Sequence, residues 1–191
     1  MKKTILSLSG LFLAVYGIVS AVLYSNVNWY RYFVIGGTLF LAWLNDRLKN
    51  DSLFEKKGKA LLKSYGLYLC YGIIIEVIGM AILKLWHYPS FGLAEFIINV
   101  ILIAYPFAFF FIYESFKLMR VSNLALAIGI TSLINAFLHE VPNTFAHNWI
   151  YTIPYIKLEI LQINIVVIVG WVILILLPVI AQKIWLCQDQ R

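Results

Sequence analysis

Two acidic residues of this chain lie where an acid is costly. Glu76 interrupts the run "GIIIEVIGMAIL" (72–83), and Glu140 follows His139 in "LINAFLHEVP" (133–142). A carboxyl group at bilayer depth costs on the order of a few kcal/mol, so such groups face a bundle interior, a partner or a wet cavity. A carboxyl beside an imidazole is also a general acid–base set, able to move a proton on a ligand that enters from the membrane. Glu76, His139 and Glu140 are therefore the candidate catalytic groups. Gly72 and Gly79 share a helical face with Glu76. Small residues there let a neighbouring helix come close and give the carboxyl a partner.

Further polar groups extend the pattern. Glu95, Asn99, Pro106, Tyr113 and Lys117 fall within about 40° of one another at about 100° per residue, a stripe along one helix. Pro106 removes a backbone donor, predicting a kink and a freed carbonyl inside that stripe. Glu114, to one side, is within reach of Lys117 at i+3 and is read as structural. Thr131, Asn135 and His139 share the next helix's face, which Pro142 is expected to end. Gln162 and Asn164 open the last apolar stretch. Glu76, Glu95, Asn99, Asn135, His139 and Glu140, joined by Asn164, are expected to converge on one polar chamber open toward the outer leaflet. Glu76 would be its floor, and Trp86 and Tyr88 would help to shape an apolar slot beside it. Taken singly, the Asn and Thr residues also have a plainer role as hydrogen bonds between helices.

The elements that must position these groups are membrane spans. The chain has 191 residues, 62% hydrophobic and 13% charged, too few polar groups to cover a water-soluble surface. It lacks a linker or low-complexity block, so residues 1–191 read as a single integral-membrane domain. A crossing helix needs roughly 20 mainly apolar residues. Six stretches qualify: Thr4 to Leu23, Tyr32 to Leu44, Tyr65 to Trp86, Leu93 to Met119, Ser122 to Leu138 and Leu158 to Ile184. The fold class is thus all-α, a polytopic bundle of six transmembrane helices.

Lys and Arg orient it, because short basic loops stay in the cytoplasm. With both termini cytoplasmic, only Arg31, Lys84 and Lys157 fall outside. The asymmetry accounts for the net charge of +6 without invoking nucleic acid. Trp29, Trp86 and Trp149 fall near the outer interface and Trp43 and Trp185 near the inner one, while Trp171 stands out by lying deep in a span. The expected location is the bacterial cytoplasmic membrane. The first span begins like a secretory signal, but its apolar stretch is long, and it is read as retained. The loop over residues 45–64 mixes basic residues with Leu53, Phe54, Leu61 and Leu62, which suits contact with an anionic inner leaflet as well as a solvated topogenic loop.

Several chemistries lack support. There is no G-x-S-x-G elbow, glycine-rich nucleotide fingerprint or paired-cysteine motif, and Cys70 and Cys187 read as free thiols. His87, His139 and His147 belong to one side with Glu140, but "HEVPNTFAH" is not a zinc helix, so no metal is assigned. No cofactor is assigned either.

Glu76-x-x-Gly79 followed by Trp86-x-Tyr88, with "AYPFAFFFIYE" at 104–114, resembles patterns in small multi-span carotenoid-modifying membrane proteins of the lycopene cyclase domain and carotenoid hydratase type. In such families acidic residues buried between helices protonate or hydrate a polyene. The resemblance therefore implies an isoprenoid substrate and Glu76 as the acid. It is confined to residues 76–114 and lacks the cyclases' Pro-x-Glu-Glu element.

Three functions fit these features: binding or modification of a hydrophobic isoprenoid or lipid ligand, transport or solute binding for a transporter, and accessory or assembly work with partner helices.

Overall fold

The computed structural model describes residues 2–48, 50, 52, 58–119, 121–154 and 156–181. Helices dominate. Helix α1 (Lys2–Tyr24) turns through Ser25, at φ 48°, into α2 (Trp29–Arg47). The two pack as a hairpin. A Cβ on Gly36 would lie 2.4 Å from the Gly10 carbonyl oxygen, so the approach is closer than any side chain there allows. Helix α3 (Gly58–Glu76) runs on as a wider π-helical stretch, Val77–Ile82. Strand β1 (Trp86–His87) follows, then α4 (Leu93–Glu95), a π-helical stretch Phe96–Ala104 and α5 (Tyr105–Leu118), joined without a break. Helix α6 (Leu124–Ala146), strands β2 (Ile150–Tyr151), β3 (Glu159–Ile160) and β4 (Ile163–Asn164), and α7 (Ile165–Ala181) complete the order.

Four segments are long and apolar enough to cross a membrane: Ile5–Tyr24, Gly58–Ile82, Leu93–Leu118 and Leu124–Ala146. Helix α7 is apolar but shorter, and the expected last span, to Ile184, runs past the described residues. Of the inner-leaflet loop over residues 45–64, residues 49, 51 and 53–57 lie outside them, as do Trp185 and Cys187.

Helix α5 is the axis of the bundle. Every residue from Pro106 to Ser115 except Phe107 is buried, and the helix packs against α2, α3, α6 and α7. A helix apolar on all sides needs such a position. Around it Tyr68, Phe109, Phe110, Trp171 and Ile175 form one core, and Trp29, Phe33, Phe111 and Trp149 a second.

Two expectations about helix ends are corrected. Pro142 does not end its helix, which continues to Ala146 and closes on His147 at φ 50°. The last span does not begin at Leu158. Leu161 and Gln162, both at positive φ, make a two-residue turn between β3 and β4, and α7 starts only at Ile165. At Pro106, the site expected to kink, the helix is continuous but changes from a π-helical stretch to α-helix just before the proline. The carbonyl four residues back, Leu102, accepts from the Tyr65 hydroxyl at 2.6 Å, so the freed acceptor is satisfied by a side chain.

Candidate functional site

Glu76 is buried at 3% exposure, at the junction where α3 widens into its π-helical end. Three neutral donors converge on its carboxyl. Tyr105 donates at 2.6 Å and Tyr88 at 2.7 Å to Oε1, and the Trp86 indole N–H donates at 3.2 Å to Oε2. The two glycines on the same face explain the fit. A Cβ on Gly72 would lie 2.6 Å from the Tyr105 ring, and one on Gly79 would lie 1.8 Å from the Trp86 ring. The small residues thus seat two aromatic rings whose polar ends reach the carboxyl. One ring belongs to the neighbouring helix; the other comes from the chain folding back after the turn.

Glu140 repeats the arrangement. It too is 3% exposed, and accepts from Tyr151 at 2.9 Å, from Trp149 at 3.1 Å and from Trp171 at 3.1 Å. Relative to Glu76 the donors stand 10, 12 and 29 residues on. Relative to Glu140 they stand 9, 11 and 31 residues on. Each unit is an acid on a helix, a Trp-x-Tyr on the return, and a third donor from the next helix. The returns pair as β1 and β2, antiparallel, with Trp86 opposite Tyr151 and His87 opposite Ile150. The middle residues of the two Trp-x-Tyr stretches therefore face each other, which gives the pair a local two-fold relation. Sequence reading found no repeat here; the signal that could have found it is Glu-x9-Trp-x-Tyr at 76–88 beside Glu-x8-Trp-x-Tyr at 140–151. Trp171, out of place as an interfacial residue, is accounted for as the third donor to Glu140.

Burial, and then the adjoining Glu76 carboxyl, lift the Tyr88 phenol well above its ordinary value. Burial and Glu140 do the same for Tyr151. Both phenols remain protonated donors across the physiological range.

A cavity of about 430 Å³ lies between these units, within the roughly 300–1,000 Å³ range of small-molecule sites. Its wall is overwhelmingly apolar, which differs from the polar chamber expected. Trp86, Tyr88, Tyr105, Trp149, Tyr151 and Trp171, the six donors, line it together with Glu140. Glu76 is not its floor: the carboxyl is covered by its own three donors. Ile74 of α3, Ile78 of its π-helical extension and Ile173 of α7 line the cavity and are still 51%, 48% and 62% exposed. The cavity therefore opens sideways, between α3 and α7, onto the apolar flank of the bundle.

The other expected site residues disperse. Asn99 reaches the cavity, accepting from Arg31 at 3.0 Å. Glu95 is exposed and caps its own helix, accepting from the Gly92 N–H at 3.1 Å. Asn164 ties the β3–β4 turn, donating to the Ile156 carbonyl and accepting from the Val166 N–H. Asn135 donates to Ser115 of α5 and to the Thr131 carbonyl, the helix-joining role. His139 is fully buried among Phe33, Phe111 and Trp171, with Nδ1 2.7 Å from the Tyr30 hydroxyl and Nε2 without a partner. The expected stripe does not persist because the π-helical turns shift its register. Asn99 faces α2, Tyr105 meets Glu76, and Tyr113 lies in the core. Glu114 accepts from Asn45 and Ser52. His87 and His147 are exposed, and among the described residues no three His, Cys, Asp or Glu side chains gather as a metal site.

Comparison with protein-family models, curated proteins and solved structures found no match.

Proposed function

We propose that this chain is an integral membrane protein that takes a hydrophobic ligand, an isoprenoid or a lipid, into the cavity between α3 and α7. In this reading six helices span a bacterial cytoplasmic membrane, with both termini inside. The single observation that carries it is the sideways mouth: Ile74, Ile78 and Ile173 belong at once to the cavity wall and to the exposed apolar flank. A guest dissolved in hydrocarbon enters such a mouth without crossing water, whereas a polar solute gains nothing from it. This favours a membrane-dissolved ligand over transport of a water-soluble one. Glu140, whose side chain lines the cavity, is then the acid nearest a bound guest, and Glu76 supports the wall from behind.

Gly170 provides the test. It lines the cavity, and a Cβ there meets nothing within 4 Å, so Gly170→Leu fills space without a clash at its first atom. Protein purified in lipid discs should carry a hydrophobic small molecule detectable by extraction and mass spectrometry. Gly170→Leu should lower its occupancy at least tenfold while the helical circular dichroism stays unchanged. Equal occupancy in the two proteins would refute the reading.

A further inference from the structure

We infer that the cavity's ligand carries an acidic headgroup, a phosphate ester on an apolar chain, seated on Arg31. This rests on the cavity reading above and adds the chemistry of the ligand's polar end. Arg31 lines the cavity beside Asn28, Asn99 and Asn148, a polar patch in a mainly apolar wall. The guanidinium is held by neutral partners only. It donates to Asn99 Oδ1 at 3.0 Å and to the Tyr32 hydroxyl at 2.9 Å, and lies 4.8 Å from the centre of the Tyr32 ring. No carboxylate among the described residues forms an ion pair with it.

Of the five N–H donors of a guanidinium, two are engaged in those bonds, and Nε is buried without a partner. A cation fixed in place, partly buried and without a countercharge among the described residues favours an anion beside it. Its position in the first turn of α2 adds the favourable end of the helix dipole. Asn148 adds an independent observation at the same wall. It is 4% exposed, lines the same cavity, and its Oδ1 has no hydrogen bond. An acceptor there suits a hydroxyl or a protonated phosphate oxygen. The two other cations expected on this side, Lys84 and Lys157, are exposed and line no part of the cavity. Arg is also the side chain whose planar fork matches a phosphate.

Two sources share this chemistry, an isoprenyl phosphate and an acyl-chain phosphate, and the probes separate them. Trp86, Trp149 and Trp171 line the cavity, so intrinsic fluorescence of the full chain in lipid discs reports occupancy. Farnesyl phosphate, farnesol and hexadecyl phosphate are titrated in turn. Farnesyl phosphate or hexadecyl phosphate should bind the wild type at least tenfold more tightly than farnesol. In Arg31→Gln that preference should shrink to less than threefold, with farnesol binding unchanged, and Arg31→Lys should restore part of it. The better phosphate names the tail. Farnesol matching both phosphates on the wild type, or a preference that survives Arg31→Gln, would overturn the headgroup while leaving the cavity reading intact. Failure of all three probes to bind the wild type would overturn both. The wild-type comparison needs no variant to fold.

Discussion

At the scale of single residues, the molecule holds two acids by the same means. Each carboxyl is buried among indole and phenol donors, which satisfy its lone pairs without a neighbouring charge. Glycines make room for this on the Glu76 side, and the consequence can be measured. Gly79→Ala puts a methyl carbon 1.8 Å from the Trp86 ring, so the ring must leave its seat. The expected cost is about 1–3 kcal/mol, read as a lower unfolding midpoint with a shifted tryptophan emission. Gly129→Ala, whose Cβ meets nothing within 4 Å, should be neutral or stabilising by up to about 1 kcal/mol in the same assay. That Glu76 faces inward was legible from its cost in an apolar run and from its flanking glycines. The identity of its partners was not, because Trp86 and Tyr88 reach it only when the chain folds back, and Tyr105 only by way of another helix.

At the scale of elements, β1 and β2 are short, yet they join the two acid units. Their pairing sets Trp86, a donor to Glu76, directly across from Tyr151, a donor to Glu140. Two backbone contacts extend the join, since Thr152 donates through its N–H to Leu85 and through its hydroxyl to Lys84. The register predicts a crosslink. His87 and Ile150 are opposite and both exposed, and opposed Cα atoms in an antiparallel pair stand about 4.5–5.5 Å apart, within disulfide range. With Cys70 and Cys187 replaced by serine, His87→Cys/Ile150→Cys should oxidise nearly completely, whereas His87→Cys/Tyr151→Cys, one residue out of register, should oxidise far less. Gel mobility after alkylation distinguishes the two. Helix positions were readable from apolar length, but the ends were not. Pro142 was expected to stop a helix that carries it internally, and the π-helical stretches around Glu76 and Tyr105 leave no mark in hydropathy.

At the scale of the whole molecule, the proposed six-span arrangement with inside termini makes opposite demands on the two ends of the bundle. A cysteine introduced at Lys84 should react with an impermeant maleimide in intact cells, and one at Lys117 only after the membrane is opened. The reverse pattern would invert the topology. Of the expected spans, four are present as helices long and apolar enough to cross a membrane, which apolar length made legible, but composition could not disclose that the interior is an apolar hollow rather than a polar one, since that depends on which side chains turn away. On the proposed function, the gap between α3 and α7 changes what affinity means for this protein. A guest arriving through it would be drawn from the fatty interior of the bilayer, where an oily molecule is already crowded, so even loose binding would keep the seat filled. Detergent reverses that advantage by diluting the guest into micelles, and a preparation made that way would come out empty while the same protein kept in native lipid comes out loaded.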